Sequence, residues 1–154
     1  MSCLQALLDR VSDEDLKEAY AARFRIRVGE TFNSSSQVAD HLATYLNGRE
    51  RETFVVLFLN RKHALISTEI LFEGTLTQAA VHPREIVRYA LLKNAAAVIC
   101  GHNHPSGEIK PSTDDQVITS KIKRACELVE VQLLDHLIIT NGDWYSFADN
   151  GLLK

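Results

Sequence analysis

Apolar residues recur along this chain with two periods, and the switches between them mark out its elements. Behind the helix-start signal Ser12-Asp13-Glu14-Asp15, the residues Leu16, Ala19, Tyr20 and Phe24 fall at near-helical spacing and predict a short amphipathic helix. Asn33-Ser34-Ser35-Ser36 is a polar cluster that can cap a second helix through Val38, Leu42, Tyr45 and Leu46, ended by Asn47-Gly48. The pattern then changes. Thr53 to Leu59 is dense in β-branched and aromatic side chains, and beyond Asn60-Arg61-Lys62-His63 a second apolar stretch, Ala64 to Phe72, reads as its hairpin partner. Pro83 at a first helical position, Glu85 in the first turn, and Ile86, Ala90 and Leu91 on one face predict a helix running to Asn94. Ala95 to Cys100 is a small apolar run of strand length, stopped by Pro105. A helix from Ser112 to Glu130 presents Val117, Ile118, Ile122, Ala125 and Val129, and Leu133 to Thr140 reads as another strand. Asn141-Gly142-Asp143 then turns into a short partner, Trp144 to Phe147.

The order is a helical prefix followed by β, β, α, β, α, β, β. Helices interleaved with strands in this way give a layered α/β fold, a mixed sheet flanked by helices. The natural division is a prefix over residues 1–32 and one domain over residues 33–154. No internal repeat, low-complexity tract or long linker interrupts it.

Composition narrows the class. At 154 residues and 45% hydrophobic, the chain can bury a core without cross-links. A net charge of -3 provides no global attraction to nucleic acid, so a polyanion partner is disfavoured. Cys3, Cys100 and Cys126 are an odd number without C-x-x-C spacing, which fits reduced thiols and a cytoplasmic protein. Met1 to Arg10 lacks a basic n-region and an apolar h-region, and no stretch approaches the roughly 18 apolar residues of a membrane span.

The candidate chemistry lies at His102-Asn103-His104-Pro105, with Ser112 and Asp115 downstream. Two histidines separated by one residue project from the same side of an extended chain, about 6 to 7 Å apart at their Cα atoms, so both rings can reach one ion. Asp115, in the first turn of the following helix, completes the three protein ligands of a catalytic zinc and gains from the positive end of the helix dipole. Such a centre needs a proton acceptor that is not a ligand, and Glu52, Glu69, Glu73 and Glu108 are candidates. Ser-x-x-Asp is also a capping-box arrangement, which gives Ser112 and Asp115 a purely structural role as well. Asp114 reads as a surface charge favoured by the dipole, His136 as a structural histidine paired with a neighbour, and Cys100 as core packing. His41, His63 and His82 read as structural too. Ser106 to Lys110, around Gly107, forms a loop over the site.

His-x-His-Pro, six residues, then Ser-x-x-Asp, with a glutamate just before an upstream apolar strand, resembles the JAMM motif of the JAB/MPN metalloprotease family. Arg51-Glu52, Phe72-Glu73-Gly74-Thr75, Val81-His82-Pro83-Arg84-Glu85, Asn94-Ala95-Ala96-Ala97, His102-Asn103-His104-Pro105-Ser106-Gly107 and Asp135-His136-Leu137 look like its RadC branch, over roughly Asn33 to Leu152. The resemblance implies a JAB domain with a cytidine deaminase-like layered fold. It implies one zinc ion held by His102, His104 and Asp115, with Glu52 as general acid/base and Ser112 stabilising the oxyanion. Manganese, iron or cobalt would suit the same ligands. The implied activity is hydrolysis of a peptide or isopeptide bond in a peptide or protein substrate by a metal-activated water. Because RadC proteins are often described as DNA repair proteins, the alternative is a repair-associated accessory acting on or near nucleic acid. A nucleobase deaminase is excluded on ligands, since neither His-x-Glu nor Pro-Cys-x-x-Cys occurs.

Overall fold

The β-branched and aromatic run after Arg51 forms strand β1 (Glu52–Leu59), seven of whose eight positions are buried. A strand so covered lies inside a sheet with helices on both faces. The computed structural model describes residues 2–75 and 80–153. Within them β1 pairs antiparallel with β2 (Leu65–Gly74) and with β3 (Ala97–Asn103), and β3 pairs parallel with β4 (Gln132–Thr140), which pairs antiparallel with β5 (Asp143–Ser146). The sheet order is β2-β1-β3-β4-β5, with β3 at the centre.

Period-two alternation splits the core into two layers. Phe54, Val56, Phe58, Val98 and Cys100 pack beneath α4 (Pro83–Leu92), through Ile86 and Ala90, and α5 (Thr113–Leu128), through Ile118, Ile122 and Cys126. Val55, Leu57, Leu59, Ala97 and Ile99 face α3 (Ser35–Leu46), which contributes Val38, Ala39, Leu42 and Leu46. Gly101 allows α3 to sit this close: a Cβ there would lie 2.6 Å from Leu42 Cδ1. The mixed α/β architecture expected from the sequence is present, and α5 is the crossover that a parallel β3–β4 pair requires.

One irregularity positions a site residue. Val98 pairs with Leu133 but Ile99 pairs with Asp135, so β4 carries one extra residue against β3 at this point. An inserted residue reverses the facing of everything beyond it. His136, opposite Cys100, therefore enters the layer beneath α5.

Ahead of the sheet, α1 (Cys3–Leu8) and α2 (Asp13–Phe24) are capped by Ser2 and Ser12 and contain no buried residue. The sequence reading has no counterpart of α1, because six residues are too few to establish a period. After α2 the chain is fastened to the domain. The Arg25 guanidinium lies 3.9 Å from the Tyr45 ring centroid, Ile26 N–H donates to His41 Nδ1 at 2.8 Å, and Gly29 N–H donates to the Leu65 carbonyl at 2.8 Å. The predicted Ala95–Cys100 strand is shifted: Ala95 N–H closes on the Ala90 carbonyl at 2.8 Å after Asn94 at φ 53°, and the strand starts at Ala97 and runs on through Asn103. His102 is thus a strand residue at the centre of the sheet. Among the described residues no helix is long and apolar enough to cross a membrane.

Candidate metal centre

β3 carries His102 on the α5 side and leads directly into His104 just past its end, and Asp115 enters at the third position of α5. Ser112 caps that helix: its hydroxyl accepts from Asp115 N–H at 3.0 Å, while its own N–H donates to Asp115 Oδ2 at 2.8 Å. This is the capping box seen in the sequence, and here it aims the carboxylate. Asp115 Oδ1 stands 3.2 Å from His102 Nε2, Asp115 Oδ2 3.1 Å from His104 Nε2, and the two Nε2 atoms are 2.9 Å apart. Tetrahedral zinc with bonds of about 2.0–2.1 Å has ligand–ligand edges of roughly 3.3 Å. The three contacts, two of them made through different oxygens of one carboxylate, are of that scale, and the trio can hold a metal ion.

Ring tautomers test the fit. His104 Nδ1 lies 2.6 Å from the Glu108 carbonyl, which only accepts, so Nδ1 carries the hydrogen and Nε2 presents its lone pair to the cluster. The 106–110 loop folds back to supply that carbonyl, with Gly107 N–H bonded to the His104 carbonyl at 3.0 Å. Gly107 takes φ 85°, a left-handed conformation suited to glycine. On the other ring, His102 Nδ1 lies 2.7 Å from Nε2 of His136, so its Nε2 also points at Asp115.

Burial works against charge on Asp115, His104 and His136. For Asp115 it pushes the pKa up, yet the imidazoles of His102 and His104 beside the carboxylate, together with the Ser112 N–H bond, outweigh it and hold the carboxyl well below the usual range. For His104 burial pulls down, while the Asp115 carboxylate beside its Nε2 and the bond to the Glu108 carbonyl, with the charge of Glu52, raise it on balance. His136 is fully buried, and that burial keeps its ring neutral.

Above the trio lies an open cleft of about 770 Å³ that Glu52, Ser112, His104 and Asp115 all help line. Glu52 belongs there by register: Phe54 pairs with His102, so two residues earlier on β1 points to the same face. Of the other acidic candidates, Glu73 is paired with Arg49 and Glu69 with Lys93, both on β2. Glu108 lines the cleft, but its carboxylate accepts from Lys110 N–H at 3.2 Å. Asp114 lies outside the ligand cluster, Cys100 is core, and His41 is buried against Ile26 and Thr68. His63 occupies the β1–β2 turn at φ 61°, and His82 is the N-cap of α4.

Two contributors escape sequence reasoning. Thr119 bonds both His136 and the Asp115 carbonyl. Its spacing of four from Asp115 is a usable signal, since it places both on one helix face. Asn103, the residue between the histidines, bonds the β1 backbone on either side of Glu52. No local spacing reveals that contact.

A family profile described as RadC-like JAB domain matches residues 32–152. A UPF0758 protein of Chromobacterium violaceum is 50% identical over 129 residues, covering 84% of this chain and 58% of the relative. One from Haemophilus influenzae is 54% identical over 121 residues, 79% of this chain and 55% of the relative. One from Vibrio cholerae is 43% identical over 148 residues, 96% of this chain and 63% of the relative. The chain therefore spans somewhat over half the length of these curated relatives. With the match running through both histidines, Asp115 and the strands that carry them, this chain belongs to the RadC-like JAB domain family.

Proposed function

We propose that the protein is a zinc-dependent hydrolase that cleaves a peptide or isopeptide bond. The observation that carries this reading is the convergence of His102 Nε2, His104 Nε2 and an Asp115 carboxylate at 2.9 to 3.2 Å beside an open cleft that His104 and Asp115 line. A divalent ion bound there supplies Lewis acidity, which lowers the pKa of a water from about 15.7 towards about 7.

The remaining work falls to side chains. Glu52, on the same face as the histidines, takes a proton from the attacking water and delivers it to the departing amine. A carbon–oxygen bond forms, the carbon–nitrogen bond breaks, and the products are an acid and an amine. Ser112 uses a lone pair to accept from Asp115 N–H, which leaves its hydroxyl hydrogen to donate to the developing oxyanion; capping and catalysis are compatible for one hydroxyl. The openness of the cleft suits an extended chain. Its lining combines Glu50, Glu52 and Glu108 with Arg51 and Lys110, a mixture that favours a peptide over a polyanion. Cys3, Cys100 and Cys126 are free thiols, which supports a cytoplasmic location.

The test is elemental analysis beside peptidase and isopeptidase assays of the zinc-loaded protein. His104→Ala and Asp115→Ala should lose metal. Glu52→Gln should keep it and lose turnover by about 100-fold or more. Undiminished hydrolysis by Glu52→Gln removes the proposed base.

A further inference from the structure

The proposed centre depends on which nitrogen of His102 carries hydrogen, and a buried chain behind the ring decides this. Thr119 hydroxyl donates to the Asp115 main-chain carbonyl at 2.7 Å. A hydroxyl has one hydrogen, so towards His136 Nδ1, 2.6 Å away, the same oxygen can only accept. Nδ1 of His136 is then the protonated nitrogen, and a neutral imidazole has only one N–H. Its Nε2 is left as an acceptor, and His102 Nδ1, at 2.7 Å, must donate to it. Nε2 of His102 is consequently free of hydrogen where it meets His104 Nε2 and Asp115.

We infer that Thr119 and His136 are positioning residues that set His102, before metal arrives, in the tautomer whose Nε2 lone pair faces the site. The chain is closed on itself: Asp115 offers its carboxylate to the trio and its carbonyl to Thr119, one turn further along α5. His136 reaches this face only because of the extra residue in β4. Its ring is held between Phe147, stacked at 4.8 Å and 16°, and Phe54, in a T-shaped contact at 5.5 Å, which fixes the plane in which its two nitrogens meet Thr119 and His102. His102, His136, Thr119 and Asp115 are all buried, which keeps water from relaying a hydrogen around the chain. Metal-ligating histidines commonly donate the second ring nitrogen to a fixed acceptor. Here the acceptor is itself a histidine, whose polarity is set one step further back by a threonine.

This inference rests on the metal-centre reading, and two measurements separate the failures. Long-range ¹H–¹⁵N correlation on the metal-free protein reads the ring hydrogens directly and needs no variant; hydrogen on Nδ1 of both His102 and His136 is expected. Zinc affinity, by competition with a chromophoric chelator, is compared for wild type, Thr119→Val and Thr119→Ser. Valine keeps the volume but removes the hydroxyl, and should weaken zinc binding about 10- to 100-fold while mixing the His136 tautomers; serine should restore both. A merely structural threonine would move stability but leave the wild-type ring pattern and the serine rescue of affinity unexplained. Hydrogen on Nε2 of His102 in the metal-free protein, or unchanged affinity in a folded Thr119→Val, overturns the relay alone. Failure of wild type to bind zinc overturns the metal centre and the relay's purpose with it.

Discussion

Asn103 separates the two histidines, yet its side chain serves the opposite strand. The β1–β3 ladder ends at Phe54–His102, and beyond it the Asn103 carboxamide takes over, accepting from Thr53 N–H at 2.7 Å and donating to the Arg51 carbonyl at 3.0 Å. Those two groups flank Glu52, so the amide fixes the backbone from which the proposed base projects. Asn103→Ala leaves the buried Thr53 N–H unpaired, at a cost of about 1–3 kcal/mol. Hydrolysis should fall further than zinc content does, since the ligands remain; equal losses of both would assign Asn103 to the metal instead. His41 shows a different dependence. Burial, reinforced by the Arg25 charge, lowers its pKa to about 4 from 6.5. In the native state it stays neutral where the unfolded chain takes up a proton, so its stabilisation is complete above pH 6.5 and is lost as pH falls towards 4. That loss is about 3 kcal/mol across the window. In urea melts, the decline between pH 7 and pH 4 should be shallower by that amount in His41→Gln. His102, His104 and Asp115 are legible in the chain because ligand chemistry restricts them to few residue types at fixed spacing. Asn103 and Thr119 are not, because their roles exist only across strands or through a second ring.

At the level of elements, α3 packs so closely on β3 that Gly101 has no space for a Cβ. Gly101 lies directly between Cys100 and His102, and a methyl group there would press on Leu42, which is itself fully buried and has no room to retreat. Gly101→Ala should cost about 1–3 kcal/mol by overpacking. It should also displace the strand segment that carries His102. The cause can be isolated in a double-mutant cycle: with Leu42→Ala supplying space, the added penalty of Gly101→Ala in guanidinium melts should largely vanish. Additive penalties would show that the clash is not with α3. Most elements were readable because their burial is one-sided or uniform and so leaves a period. β1, α3, α4 and α5 follow their apolar patterns closely. β3 was harder to delimit, because Ala95 and Ala96 are small and apolar like a strand but serve the turn after α4. The inserted residue in β4 had no local signature, since Leu133, Leu134 and Leu137 are apolar on both faces.

For the whole molecule, the two core layers have unequal duties. The layer beneath α4 and α5 contains the trio, the relay and the cleft floor, whereas the α3 layer buttresses the sheet from behind. The prefix joins the second of these, by packing α2 on α3 and by the Arg25, Ile26 and Gly29 contacts that follow it. We propose on this basis that residues 33–154 form the folding unit and that residues 1–32 are a prefix resting on its back. α1 and α2 leave Leu4, Leu7, Leu16 and Tyr20 exposed, and Phe24 is the main side chain that α2 half-buries. Removing residues 2–24 therefore strips about one partly buried aromatic from the domain, worth about 1–2 kcal/mol, while Arg25 to Thr31 stay in place. The shortened chain should unfold in a single cooperative transition with only a modestly lowered midpoint, and should bind zinc as the full chain does, because the trio lies on the α5 side of the sheet whereas α2 packs on α3 on the other side. A molten, non-cooperative truncated chain, read by near-ultraviolet circular dichroism, would show that the prefix is part of the folding unit and that the proposed boundary is misplaced.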